Sequence, residues 1–183
     1  MQQHRKIEVS GATLECTLYG SGTSVVLLAN AGCSSGYFDD LARVLAAGGL
    51  QALCVNMRGT GESRGSLQDI TVHDLAADVA GVLEALDCGP AHLVGHAFGN
   101  RVARCLAVDR PSLVRNVTLL AAGGLIGPAT PLGKGNGHAL REQFGERVRV
   151  IDLPRAGHFL LLGQPEAVTR AVAEFVGAGA GPR

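Results

Sequence analysis

The sequence predicts an α/β domain with a doubly wound, mostly parallel sheet, and two observations carry that prediction. Short apolar runs without polar alternation, which are typical of strands buried on both faces, recur along the chain. Segments with apolar residues three and four positions apart, the period of an amphipathic helix, lie between these runs. Regular alternation of the two patterns indicates parallel strands joined by crossover helices.

The first part of the chain predicts a hairpin followed by a buried strand. Residues 7–9 and 13–19 are predicted as two short strands joined by a tight turn. Residues 24–29 are a continuous apolar run, and a loop of small residues, 30–36, follows it. A helix with apolar spacing then ends at two glycines, Gly48 and Gly49.

The middle of the chain predicts three further strands. The apolar runs are residues 51–56, 91–94 and 114–121. A helix over residues 69–88 lies between the first two, and Thr71 with Asp74 predicts a capping box at its start. A second helix, over residues 100–108, lies between the last two.

The last part of the chain is predicted to be shorter and less regular. Residues 123–136 are rich in Gly and Pro and predict a loop, and residues 177–183 predict a flexible tail. Between them we expect a helix at 139–144, a strand at 147–153 and a helix at 165–176. Residues 1–183 are expected to form a single domain.

Composition excludes several classes of function. Lys plus Arg and Asp plus Glu both number 16, so no net charge favours nucleic acid or an anionic membrane. The five cysteines are scattered and lack C-x-x-C spacing, which predicts reduced thiols in a cytoplasmic protein and neither disulfides nor a zinc site. His4, His73, His92 and His138 show no metal-ligand spacing, and no cofactor is expected. The polar N-terminus predicts neither a signal peptide nor a spanning helix.

Gly95-His96-Ala97-Phe98-Gly99 stands between an apolar strand and a helical pattern. In the pattern G-x-S-x-G, this strand, turn and helix present a nucleophile at the end of a parallel sheet. Alanine has no atom that attacks a carbonyl. The stretch therefore predicts the position of a site more firmly than its chemistry.

Four segments in order resemble the α/β-hydrolase superfamily: residues 30–36, 56–63, 95–99 and 156–159. The resemblance implies that Ala97 stands at the nucleophile position and His158 at that of the general base. It places the oxyanion hole at the backbone N–H groups of Ala31 and Phe98. His96 is expected to pack or hydrogen-bond beside the turn or, with Asn30, to line a pocket for a small carbonyl-containing ligand.

The chain departs from the family pattern in three ways. Ala97 replaces the serine, and two origins stay open: a natural replacement, which we favour, and an engineered one that traps a substrate. The lid and the seventh strand, whose end supplies the triad acid, are expected to be missing, with residues 123–136 in their place. Asn56 stands where the family often has Asp and is expected to hold the following turn. Asp152 and Glu166 are weak candidates to orient His158, and Cys33 is a weak candidate for a displaced nucleophile.

Three functions remain open from the sequence alone. The first is a relative of ester, lactone or C–C bond hydrolases with weak or no hydrolysis of its own. The second is a lyase, isomerase or cyclase that uses the oxyanion pocket and His158 for proton transfer. The third is a pseudo-enzyme that binds a partner through an apolar surface around Leu125, Ile126 and residues 159–162, a surface that would also favour a homodimer.

Overall fold

The computed structural model describes residues 2–121 and 136–178. Within that part of the chain, seven strands form one mixed sheet. They are β1 (Gln2–Val9), β2 (Ala12–Gly20), β3 (Ser24–Leu28), β4 (Gln51–Val55), β5 (Arg64–Gly65), β6 (Ala91–His96) and β7 (Val114–Leu120).

The strand order is β1-β2-β4-β3-β6-β7, and the two-residue β5 pairs with β2. β1 and β2 form the expected antiparallel hairpin, with Val9 opposite Ala12 at the turn, and β2 also runs antiparallel to β4. From β4 through β3 and β6 to β7 every pairing is parallel. The predicted doubly wound, mostly parallel sheet is confirmed. Its centre, β3 and β6, is buried along its whole length.

Helices cover both faces of the sheet and divide the core in two. Leu75, Val79 and Leu83 belong to the apolar cluster on one face, and Leu41, Leu45 and Val172 belong to the cluster on the other. The helices are α1 (Asp39–Ala47), α2 (Val72–Ala85), α3 (Phe98–Asp109), α4 (Asn136–Phe144), α5 (Leu160–Gly163) and α6 (Pro165–Ala178). None of the described helices is long and apolar enough to cross a membrane.

The start of α2 is fixed by the predicted capping box. The Thr71 hydroxyl accepts the backbone N–H of Asp74, and the Asp74 carboxylate accepts the backbone N–H of Thr71 at 2.8 Å. Further along α2, the buried Asp78 forms a two-pronged ion pair with Arg58, with contacts of 2.6 and 2.8 Å. The pair ties the turn after β4 to the helix that covers it.

Asn56 has the structural role expected of it. This buried side chain accepts the backbone N–H of Ser35 at 2.6 Å and donates to the Glu15 carboxylate at 2.7 Å. Its backbone carbonyl accepts the Ser63 hydroxyl. One residue therefore connects the loop after β3, the strand β2 and the turn after β4.

The predicted strand at residues 147–153 is wrong. These residues continue from a short 3₁₀ turn (Gly145–Arg147) without regular structure, and β7 pairs with β6 alone among the described strands. A cavity of about 490 Å³ is lined by both β7 and residues 148–153. A strand needs a neighbour about 4.8 Å away to complete its hydrogen bonds, and here the cavity lies between this segment and β7.

Two predicted segments fall largely outside the described residues. The loop at 123–136 does so except for Asn136, which begins α4. Of the tail at 177–183, the first two residues complete α6 and the others are not described. Leu125 and Ile126, proposed for an apolar surface, also lie outside the described residues.

Candidate functional site

The turn between β6 and α3 has the backbone of a nucleophile elbow. Ala97 has φ 51° and ψ −104°, a conformation in which L residues are strained. Its N–H donates to the carbonyl of Leu120 at 3.0 Å, and its carbonyl accepts the N–H of Asn100 at 3.1 Å. The Asn100 side chain donates to the same Leu120 carbonyl at 2.9 Å. The end of β7 therefore holds the elbow in place.

The two outer glycines are required by close packing of backbone. A Cβ on Gly99 would overlap the carbonyl of Leu28 on β3, and a Cβ on Gly95 would overlap the backbone of Gly99. Neither neighbour is a flexible side chain that could move aside. The glycines let α3 start directly behind the central strands, so that its first N–H groups face the end of the sheet.

The predicted oxyanion hole contains an internal carbonyl. The Phe98 N–H donates to the side-chain oxygen of Asn30 at 3.2 Å. The backbone carbonyl of Asn30 accepts the N–H of Cys33 at 3.0 Å, which closes the loop after β3 around Ala31. Asn30 and Phe98 are thus brought together as expected, and the exposed Ala31 lies in the same loop.

His96 is completely buried beside the elbow. Its Nε2 lies 2.8 Å from the backbone carbonyl of His158, which can only accept, so Nε2 carries the proton. Burial lowers the pKa of His96, and the hydrogen bond to the His158 carbonyl offsets this effect only in part, so the ring is neutral at pH 7. Its Nδ1 has no hydrogen-bond partner among the described residues.

His158 lies beside His96, with 5.0 Å between the ring centroids, but its side chain is exposed. In the described part of the chain no carboxylate makes a hydrogen bond with it. Asp152, one weak candidate for this role, contacts His138 instead at 3.0 Å. Glu166, the other candidate, is exposed on α6. The structure brings the histidine to the elbow without an acid to orient it.

Sequence reasoning missed the aromatic side chains that surround these histidines. The Tyr37 ring lies 4.8 Å from that of His96 and 6.1 Å from that of Phe159. The Tyr37 hydroxyl accepts the N–H of Leu161 at 3.2 Å, which fixes the segment after His158 to the loop after β3. The presence of Tyr37 directly after a loop made of small residues was the available signal.

A family model described as the alpha/beta hydrolase fold matches residues 24–152. The match includes the loop after β3, the elbow and most of the sheet. The chain belongs to the α/β-hydrolase fold family. The family prediction drawn from four short segments is therefore confirmed.

Relatives within the α/β-hydrolase family include several named hydrolases. The putative carbamate hydrolase RutD of Azorhizobium caulinodans is 30% identical over 165 residues, which are 90% of this chain and 55% of that protein. Rhodomycin D methylesterase DauP of a Streptomyces strain is 31% identical over 61% of this chain and 41% of its own length. The chain spans about half the length of the relatives it matches.

Solved structures of the α/β-hydrolase fold superpose on the same region. Epoxide hydrolase I of potato, Solanum tuberosum, aligns with a TM-score of 0.64 and 21% identity over 80% of this chain and 47% of its own. An epoxide hydrolase of Vigna radiata aligns with a TM-score of 0.64 and 23% identity, over 79% of this chain and 45% of its own. At this level of identity the likeness shows the fold alone.

This α/β-hydrolase site retains some chemical parts and lacks others. The strained elbow, a backbone donor at Phe98 and an imidazole at His158 are present. The methyl group of Ala97 cannot form an acyl-enzyme. A backbone N–H of this kind donates to an oxygen, here that of Asn30, and an imidazole is a group that can take part in proton transfer.

Proposed function

We propose that the elbow binds a small compound with an acyl carbonyl, of the carbamate, amide or ester class, and that no acyl-enzyme forms. One observation carries this proposal: the Phe98 N–H already holds an amide oxygen, that of Asn30, at 3.2 Å. The carbonyl of a carbamate or amide has the same hydrogen-bonding capacity. Such a ligand can replace the Asn30 carboxamide without leaving a buried donor unpaired.

The names of the relatives support this ligand class. They include a carbamate hydrolase, a 2-(acetamidomethylene)succinate hydrolase and a methylesterase. The groups in these names share one feature, an acyl carbonyl next to nitrogen or oxygen. A carbonyl bound at Phe98 is thus the part of the chemistry that this chain can share with them.

The absent nucleophile limits the reactions that a bound carbonyl compound can undergo. Loss of the serine in a serine hydrolase lowers kcat by roughly 10⁶, and the oxyanion hole and substrate binding retain about 10³ over water. Hydrolysis here must proceed by direct attack of water on the carbonyl, with His158 as the group that accepts the proton. Lyase or isomerase chemistry would use the same two groups, the Phe98 N–H to bind the carbonyl and His158 to accept the proton.

Binding is tested by following the Phe98 amide resonance in ¹⁵N-labelled protein during titration with ethyl carbamate. Butanol, which is similar in size but lacks a carbonyl, is the control. We expect a saturable shift of the Phe98 resonance with the carbamate only. The shift should be larger in the Asn30→Ala variant, because the Phe98 N–H is then no longer held by the Asn30 side chain. Equal responses to both compounds, or none in either protein, would overturn the proposal.

The absence of an acyl-enzyme is tested with nitrophenyl acetate on the chain and on Ala97→Ser side by side. We expect no burst of nitrophenol from the chain. A burst in Ala97→Ser that disappears in Ala97→Ser/His158→Ala would show that the elbow and the histidine are still correctly placed. A burst from the unaltered chain would contradict this part of the proposal.

The pseudo-enzyme and homodimer hypotheses receive less support from the surface. Of the apolar residues expected to be exposed near the site, Leu161 is buried, whereas Phe159 is 43% and Leu162 74% exposed. Single exposed apolar side chains are normal on soluble proteins. We therefore place the binding of a carbonyl compound ahead of the binding of a protein partner.

A further inference from the structure

Three side chains that are far apart in sequence meet at the end of α3 that is remote from the elbow. His73 comes from the first turn of α2, and Cys105 and Asp109 are one turn apart on α3. His73 Nδ1 lies 2.7 Å from Asp109 Oδ2, and Cys105 Sγ lies 3.2 Å from that nitrogen and 3.3 Å from that oxygen. With a rise of 1.5 Å per residue, Cys105 and Asp109 lie roughly 10 and 16 Å along the helix from the start of α3.

The three groups are those of a Cys–His–Asp catalytic triad, but their arrangement is different. A triad places the nucleophile at one ring nitrogen and the carboxylate at the other, so that the imidazole relays between them. Here the thiol and the carboxylate both approach Nδ1 of His73. Three potential ligand atoms that converge on one point suit a cation at that point.

We propose that His73, Cys105 and Asp109 form a binding site for a divalent transition metal ion of the zinc type. Imidazole, thiolate and carboxylate are the three ligand groups that zinc takes in proteins. All three ligand atoms lie within 4.8 Å of one another. The ion binds when Cys105 releases its thiol proton to solvent and the proton on His73 Nδ1 moves, by exchange with water, to Nε2. It then takes the position now occupied by the hydrogens between the three atoms.

The distances leave room for an ion. Zinc takes nitrogen and oxygen ligands at about 2.0–2.2 Å and sulfur at about 2.3 Å. The three ligand atoms lie only 2.7–3.3 Å from one another. The circle through them therefore has a radius slightly smaller than these zinc–ligand bond lengths. An ion therefore sits just above the plane of the three atoms, with small side-chain movements, and forms a tetrahedron with water as the fourth ligand.

The surroundings favour an accessible site with an open position. The His73 side chain is 72% exposed and that of Asp109 33% exposed, so an ion can enter from solvent. Cys105 is half-buried on α3 and supplies the least mobile ligand. No local sequence pattern indicates the site, because its ligands lie on two helices, 32 and 36 residues apart.

The test is a titration with Co²⁺ of the reduced protein, freed of metal, monitored by the charge-transfer absorption between thiolate and cobalt. We expect saturation at one ion per chain, loss of the absorption on addition of Zn²⁺, and a rise in Tm with Zn²⁺ because the ion joins α2 to α3. Cys105→Ser should abolish the absorption, and His73→Gln and Asp109→Asn should each weaken binding by at least about tenfold.

Cys88→Ser is the matched control, because Cys88 is also a half-buried free thiol but lies outside this cluster. It should bind Co²⁺ like the unaltered chain, and circular dichroism checks that every variant is folded. An absorption that persists in Cys105→Ser, or no saturable binding by the folded unaltered chain, would overturn the proposal. Neither outcome bears on carbonyl binding at Phe98.

Discussion

The two halves of the candidate site are built in different ways. The elbow half consists of backbone: the Ala97 turn, the Phe98 N–H and the Leu120 carbonyl, held by parallel strands at the centre of the sheet. The histidine half follows residues 148–153, which do not pair with the sheet. The His158 side chain in this half has no described carboxylate partner. One half is fixed by the core of the fold, and the other by a few contacts of Tyr37 and His96.

This difference shows which part of a hydrolase site can persist when catalytic side chains change. The Phe98 N–H is a main-chain group whose position depends on glycine packing and strand pairing, both of which the fold itself requires. The orientation of the histidine depends on an acid carried by a separate element. Ligand binding by a main-chain donor can therefore outlast covalent catalysis. The difference in how firmly the two halves are held can be measured as differences in the free energy of unfolding.

The largest effect is expected from Gly99→Ala, which places a Cβ against the Leu28 carbonyl at the centre of the sheet. Because backbone must move, we expect a loss of about 4 kcal/mol in the free energy of unfolding. Urea unfolding monitored by circular dichroism measures it. Gly177→Ala on α6, where a Cβ meets no described atom within 4 Å, should cost nothing and can stabilise by about 0.5–1 kcal/mol. Equal losses in both variants would contradict the comparison.

A smaller effect is expected from breaking two ion pairs, a buried one on α2 beside the sheet and an exposed one beside residues 148–153. Asp78→Ala leaves the Arg58 guanidinium buried without its partner and should cost about 3 kcal/mol. Glu174→Ala removes the exposed contact with Arg149 beside the unpaired segment and should change stability by less than about 0.5 kcal/mol. Thermal and urea unfolding of the two variants provide the test. A cost for Glu174→Ala near that of Asp78→Ala would show that residues 148–153 are more firmly fixed than the structure indicates.

The smallest effect concerns pH and belongs to the elbow strand. Burial lowers the pKa of both His92 and His96 on β6. The unfolded chain binds their protons first, so their contribution is fully present above about pH 6.5 and is lost as pH falls toward the folded pKa values. We expect the free energy of unfolding to decrease between pH 7 and pH 5.5, by no more than about 1.4 kcal/mol per pH unit for each histidine.

The groups around these rings define the control. The hydrogen bond that His92 donates to the side-chain oxygen of Asn116 partly offsets the effect of burial on the pKa of His92, and Arg115 lowers that pKa further. At His96 the hydrogen bond to the His158 carbonyl partly offsets burial, and the His158 ring lowers the pKa. His92→Gln removes one titrating group, and its stability should depend less on pH than that of the unaltered chain. If the free energy of unfolding falls equally in both proteins between pH 7 and pH 5.5, His92 is not responsible for the pH dependence.

The sequence predicted most of the fold because its signals are local. Continuous apolar runs marked β3, β4, β6 and β7, and the Thr71 and Asp74 pair marked the start of α2. The elbow was also predictable, because glycine spacing and chain order define it. The structure places Ala97 at the turn before α3 and Phe98 in contact with Asn30, and the roles of these residues stay predictions.

The errors arose where structure depends on partners distant in sequence. Residues 148–153 have the composition of a strand, but a strand forms only beside another strand, and a cavity lies next to β7. The contact between the Asn30 side chain and Phe98, the burial of His96 against Tyr37, and the cluster at His73 each join segments that no local pattern relates.

The strained backbone of Ala97 has a consequence for the history of this site. The turn keeps its conformation through main-chain hydrogen bonds and neighbouring glycines, although the side chain it presents is a methyl group. A serine at this position would inherit the same geometry without any rearrangement of the chain. In evolutionary terms, a single substitution would return a nucleophile to a turn that already has the shape to present it.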